Sequence, residues 1–201
     1  TNPTIKLDNK VTCTGTIKGT SESGGFIGKA VYKTGLELDL SNINVSGITI
    51  SNGNHAGGYF GVLNFDSSTG GTITIKNVPE TNLTHTGTSW QFGGVIGQYS
   101  ANSQSSTLRL ESPNVNISSN GTVTALGGII GSVAGNGADH ALKDTLEKVT
   151  SAYVEISGAT VAANLTTDLT TNGYFGGLVG ELGQAEGQGH FLSVSGTIKV
   201  S

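Results

Sequence analysis

The chain has 201 residues, a formal net charge of −4 and 12% charged side chains, about half the share usual in a soluble domain. That balance offers no basic face for nucleic acid or for an anionic membrane surface, and no apolar run is long enough to cross a bilayer. With 32 glycines, 3 prolines and regularly placed apolar residues, the chain reads as short strands joined by turns, neither helical nor disordered.

Residues 1–23 hold Thr4-Ile5-Lys6-Leu7 and Val11-Thr12-Cys13-Thr14-Gly15-Thr16-Ile17, both alternating at the period of a strand. They read as the tail of a coil. Cys13 is the only cysteine, so no internal disulfide forms. It is expected to be a small buried strand residue, because no base stands near it to activate a thiolate. The chain has no Met and starts at Thr1 inside a strand pattern. It is therefore expected to be a single domain, residues 1–201, excised from a larger protein.

A five-residue motif follows and returns four times. It is Gly24-Gly25-Phe26-Ile27-Gly28, Gly57-Gly58-Tyr59-Phe60-Gly61, Gly93-Gly94-Val95-Ile96-Gly97, Gly127-Gly128-Ile129-Ile130-Gly131 and Gly176-Gly177-Leu178-Val179-Gly180. The spacings are 33, 36, 34 and 49 residues, a near-fixed period that marks a repeat architecture. Between the first two copies lie Leu36-Glu37-Leu38-Asp39-Leu40, Ile43-Asn44-Val45-Ser46-Gly47 and Ile48-Thr49-Ile50. Later repeats offer Leu108-Arg109-Leu110, Val115-Asn116-Ile117-Ser118, Tyr153-Val154-Glu155-Ile156 and Leu192-Ser193-Val194 in matching places. The pattern predicts three short strands per period, one of them the glycine motif itself.

A lone coil cannot bury its apolar face, whereas stacked coils bury a continuous column and satisfy each other's backbone groups. The expected fold is all-β: a right-handed parallel β-solenoid (β-helix) of about five to six coils. A β-sandwich also uses many short strands but has no reason to repeat the glycines. Glycine weakens a strand, so its recurrence implies a tight corner or a close approach between sheets. A phosphate cradle is excluded, since such loops occur once, before a helix, with a partner Lys or acid. The second middle residue (Ile27, Phe60, Ile96, Ile130, Val179) leaves two outcomes open. Either a bulge at the last glycine turns both middle residues inward, or an apolar ladder stands on the surface. Two positions on stand the polar Lys29, Gln98, Ser132 and Glu181, which imply solvent on that side, with Val62 breaking the pattern.

The fourth repeat breaks the period with two extra segments. The first, 138–149, is the only helix-like stretch: Leu142, Leu146 and Val149 share one face. Its charged side, Asp139, His140, Lys143, Asp144, Glu147 and Lys148, with Thr167 and Asp168 of the second segment alongside, is the candidate binding surface. Insertions into repeats map to loops on one face, often the binding face. The alternatives are a neutral excursion or a short helix that covers apolar strand surface.

The motif resembles the GLUG repeat, named for its Gly-Leu-large-Gly core, which Gly177-Leu178-Val179-Gly180 fits directly. GLUG repeats occur in large extracellular bacterial proteins, including adhesin-like proteins and non-catalytic parts of immunoglobulin-cleaving metalloproteases. The resemblance spans all five copies and brings no catalytic residue. It implies an extracellular, cell-surface or secreted module for adhesion, with a host glycan or host protein as partner alongside neighbouring domains of the same chain. The alternatives are a structural spacer and a polysaccharide-processing β-helix enzyme.

Chemistry-bearing patterns are few. No Asp column follows the motif, so the calcium-binding nonapeptide pattern is absent. The pairs Thr12/Thr14, Thr72/Thr74, Thr86/Thr88 and Thr122/Thr124 stand at unequal distances from the next motif and do not form one ice-binding face. His55, His85, His140 and His190 have no ligand-spaced partner and read as loop residues. Acids are scattered and Arg109 is the only arginine. No catalytic residue, cofactor or metal is expected, and chelator should leave the melting temperature unchanged. A fall of several degrees in a thermal melt with EDTA would reveal a metal site.

Overall fold

The computed structural model describes residues 3–66, 69–101, 106–135, 152–165, 169–183 and 190–201. They form an all-β solenoid of about five turns in which every strand pairing is parallel. The first wall stacks Thr4–Lys6, Leu36–Asp39, Gly71–Lys76 and Ser106–Glu111, then the start of Ala152–Leu165 and of His190–Val200. The second stacks Gly15–Ile17, Ile48–Ile50, Thr81–His85, Asn114–Ser119 and the remainder of Ala152–Leu165. The third holds Glu22–Gly24, Gly53–Gly57, Thr88–Gly93, Thr122–Gly127 and Leu169–Gly176. The fourth holds Ile27–Tyr32, Phe60–Phe65, Ile96–Ala101, Ile130–Gly135 and Val179–Leu182.

A full turn thus has four strands where the sequence pattern suggested three. The glycine motif is not one strand but the corner between the third and fourth walls: its first glycine ends one strand, its fourth residue begins the next, and only the two positions between them lie outside strands. Its copies lie in register, Gly24 on Gly57, Gly93, Gly127 and Gly176. Ile27 stands under Phe60, Ile96, Ile130 and Val179 in the same way. Both middle residues turn inward: Tyr59, Phe60, Val95, Ile96, Ile129 and Ile130 are all 0–1% exposed. The surface-ladder alternative is therefore overturned in the inner coils.

Each glycine is required by contact, not by dihedral, since none of the fifteen motif glycines has a left-handed φ. A Cβ on Gly93 would lie 2.0 Å from the carbonyl oxygen of Ile96, inside the turn. One on Gly94 would lie 2.2 Å from Val115 Cγ1 on the opposite wall and 2.3 Å from the Gly128 oxygen. One on Gly97 would lie 2.6 Å from the Ala56 nitrogen in the third wall of the preceding coil. The corner therefore drives its tip into the core and presses two walls backbone to backbone.

The core comes from the period-two alternation of the first and second walls. Leu36, Ile73, Leu108 and Val154 form one inward column, and Leu38, Ile75, Leu110 and Ile156 the next, all 0–4% exposed. Glu37, Thr74, Arg109 and Glu155 alternate outward, and the Arg109 Nε donates to Glu155 at 2.7 Å between adjacent coils. The corner between these two walls contracts along the stack. It spans 40–47 in the first full coil, where Ile43–Asn44 pairs with Val11–Thr12, then 77–80, then 112–113. In the next coil it is only a kink at Gly158 within one strand. Asn77, Ser112, Gly158 and Gly196 take left-handed φ there, at 55°, 50°, 61° and 74°.

Neither extra segment of the fourth repeat is seen as expected. The helical stretch 138–149 lies outside the described residues, and no helix occurs among those described. Of the second segment, residues 162–170, positions 166–168 lie outside the described residues and the described start stays in the stack. Ala162, Ala163, Asn164 and Leu165 continue the strand, paired to Asn116, Ile117, Ser118 and Ser119. The surplus is taken up further on, where the register slips between Val123–Leu169 and Ala125–Tyr174.

Replacing Gly94 or Gly128 with Val should cost about 3 kcal/mol, because the new side chain meets backbone and packed valine with no space to relax. In thermal melts that is a fall of about 6–12 °C for a domain of this size. Thr74→Val, on the outward face, should change stability by no more than about 0.5 kcal/mol.

Candidate functional site

The candidate binding residues Asp139, His140, Lys143, Asp144, Glu147, Lys148, Thr167 and Asp168 all lie outside the described residues. The described surface holds a different site, built by the glycine corner. Because the corner's tip points inward, the third and fourth walls diverge outside it and leave a cleft. Residues two places before the first glycine and one place after the last meet across that cleft. In the first coil these are Glu22 and Lys29, 3.8 Å apart.

Higher in the stack the cleft opens to about 510 Å3, lined by His55, Trp90, Gln91, Gln98, Thr124 and Glu181. Trp90 is 60% exposed although it sits within a strand paired on both sides. Gln91 is buried, and its Oε1 meets Nδ1 of His55 one coil below. An amide oxygen only accepts, so His55 carries its hydrogen on Nδ1. Burial lowers the His55 pKa against the opposing pull of Gln91 and Glu22, which keeps the ring neutral at pH 7. Gln98 accepts from the Ser100 hydroxyl at 3.3 Å, and Glu181 from the Ser132 hydroxyl at 3.2 Å. Each of these side chains has further donor or acceptor capacity beyond those bonds. Among the described residues Glu181 is the one carboxylate lining the open part of the cleft, Glu22 being paired with Lys29 lower down.

A second hollow, about 400 Å3, lies on the ledge formed by the longest corner, among Lys10, Thr12, Asn44, Ser46, Glu80 and Asn82. Its amides are tied to neighbouring coils and turns. Asn82 donates to Ser46 Oγ at 2.9 Å, Asn116 donates to Asn82 at 3.0 Å, and Asn44 accepts from the Ser46 backbone at 2.8 Å. That arrangement is a structural ladder. Asp39, nearby, is 7% exposed. Burial raises its pKa, but the Ser41 backbone, Asn77 and Lys6 at 3.0–3.1 Å outweigh this and hold it well below the usual carboxylate range. It fixes a corner.

Two sequence readings are corrected. His85 is not a loop residue but the fully buried end of the strand Thr81–His85, in an inward column between Ile50 and Ser119. Its Nδ1 contacts the Ser119 hydroxyl and its Nε2 the Ser89 hydroxyl, both at 2.9 Å, and its ring lies 4.7 Å from that of Phe92. His55 and His190 likewise belong to strands. Cys13 is half-buried just past a strand end, packed on the rim of the core. The cleft itself escaped the sequence reading. Its trace in the sequence is the column Lys29, Gln98, Ser132 and Glu181; that column is not uniformly solvent-facing, since Ser132, like Val62 between Lys29 and Gln98, is buried, at 0% and 5% exposed.

Among the described residues no three His, Cys, Asp or Glu side chains converge as a metal site, and no helix is long and apolar enough to cross a membrane. Comparison with family models, curated proteins and solved structures gave no match.

Burial pushes the His85 pKa from 6.5 down to about 4, so the folded state binds fewer protons than the unfolded chain between those values. Stability is therefore full above pH 6.5 and falls as pH drops towards 4. The loss should reach about 3 kcal/mol. Denaturant titrations from pH 7.5 to 4 should show this slope in the wild type and a flatter one in His85→Gln, which keeps both hydroxyl partners and cannot titrate.

Proposed function

We propose that the chain is a non-catalytic, extracellular module of a bacterial surface protein, a right-handed solenoid of the GLUG-repeat type, and that it binds a host glycan or host protein in adhesion. The observation that carries this reading is Trp90, a large aromatic held 60% exposed beside a polar cleft on a rigid wall. Exposed aromatic residues set in a polar cleft are the side chains that most often carry binding energy at interfaces. A solenoid wall adds pre-organisation, since its strands are paired on both sides and lose no freedom on binding.

The spacer reading draws on a different observation. The first and second walls repeat the same inward columns from coil to coil, which is what a stalk needs. The enzyme reading has less support. Glycoside hydrolysis uses a pair of carboxylates, and among the described residues the open part of the cleft is lined by Glu181 alone.

The test is to immobilise the purified chain and pass over it an array of glycans and a set of extracellular-matrix proteins. A binder retains at least one of them saturably at micromolar to millimolar concentration. Retention of none would leave the spacer as the better account.

A further inference from the structure

We propose that the Trp90 cleft binds a neutral, hydroxyl-rich oligosaccharide, an inference that rests on the reading of the chain as a ligand-binding module. Four features of the cleft define the ligand. The first is an exposed, nearly flat apolar ring. The indole offers a face on which the C–H side of a sugar ring can lie, with an N–H at its edge as a donor. The second is the set of polar groups around it. Gln91, Gln98, Thr124, His55 and Glu181 supply amide, hydroxyl, imidazole and carboxylate groups at fixed places. Together they can both donate to and accept from sugar hydroxyls, which are themselves donors and acceptors.

The third feature is charge. Among the described residues the open part of the cleft is lined by no Lys or Arg, burial lowers the His55 pKa, and Glu181 is its one formal charge; the Glu22–Lys29 ion pair beside His55 in the first coil adds no net charge. Phosphate, sulfate or carboxylate on the ligand would meet repulsion from Glu181, with the nearest cation, Lys29, already in an ion pair with Glu22. The fourth is the backbone. The strand of Trp90 is paired on one side to Gly53–Gly57 and on the other to Thr122–Gly127, and that of Gln98 is paired on both sides as well. An extended peptide therefore has no free edge to join at Trp90 or Gln98; among the described residues the one lining strand at the end of its sheet is Val179–Leu182, which carries Glu181. Around Trp90 and Gln98 recognition must use side chains.

The cleft also has the right extent. His55, Trp90, Thr124 and Glu181 come from consecutive coils, so the lining runs about 14 Å along the stack at about 4.8 Å per coil. That accommodates more than one sugar ring, with Trp90 near the middle.

Trp90 is the only tryptophan of the chain, so its emission reports the occupancy of the cleft. The experiment titrates the whole chain with linear tetrasaccharides of glucose, mannose, galactose, xylose and N-acetylglucosamine, and with sulfated and sialylated oligosaccharides, reading Trp emission and heat. At least one neutral tetrasaccharide should give a saturable change, and the anionic ones none. Trp90→Ala, followed by calorimetry, should weaken that binding about tenfold or more and Gln98→Ala about threefold to tenfold, with melting temperatures unchanged. The proposal is overturned if no neutral tetrasaccharide produces emission change or heat, if Trp90→Ala binds as the wild type does, or if anionic glycans bind more tightly. Suppose instead that a matrix protein binds, that Trp90→Ala weakens this binding, and that enzymatic deglycosylation of the protein does not. The cleft is then a protein site, and the glycan inference falls while the module reading stands. If neither glycans nor matrix proteins bind the chain anywhere, both fall.

Discussion

The structure depends on two walls approaching until only backbone separates them. At the corner between the third and fourth walls a Cβ on Gly97 or Gly131 would enter the backbone of the preceding coil at 2.5–2.8 Å. Such closeness lets the tip of the corner reach the opposite wall, where Gly94 meets Val115 and Gly128 meets Val161. The tip then carries two large residues into the interior, and Tyr59 donates from there to the Ile43 carbonyl at 3.1 Å. A solenoid of this circumference would otherwise enclose more space than its side chains fill, and close packing tolerates few voids. The corner closes the cross-section from within. The same inward fold leaves the cleft outside. The core and the candidate site are thus the two sides of one turn.

Much of the fold was legible because its information is periodic. The near-constant spacing of the glycine motif and the alternation in Leu36–Leu40 and Leu108–Leu110 imply stacked parallel coils, and the register pairs Leu36 with Ile73 and Leu108 as that requires. The four-strand turn was hidden because a corner made of glycine has no side-chain alternation to betray it. The inward turn of both middle residues was foreseen as one of two outcomes. Choosing between them requires knowing where the opposite wall stands, which is a long-range property.

The site was less legible, for a related reason. Period and amphipathicity single out positions that differ from their neighbours along the chain, and they drew attention to 138–149. The cleft instead joins residues that are ordinary in sequence: a Trp in a polar strand, two glutamines seven positions apart, and a glutamate near the chain's end. Only stacking makes them neighbours. His85 is a comparable case. Nothing in Leu83-Thr84-His85-Thr86 announces burial, but the register sets it between Ile50 and Ser119, where two hydroxyls on other strands satisfy both ring nitrogens.

The corner between the first and second walls carries a further consequence. It contracts from a loop that holds its own short strand to a bare kink at Gly158, while the glycine corner opposite stays constant. The coils are therefore not interchangeable bricks. A coil with the long corner placed high in the stack would overhang neighbours that have no Val11–Thr12 to meet it, and one with the kink placed low would leave that strand unpaired. The repeats carry an address as well as a shape. Such a chain can acquire new coils by duplication only where adjacent corners match in length, which makes its order of repeats a heritable feature distinct from their number.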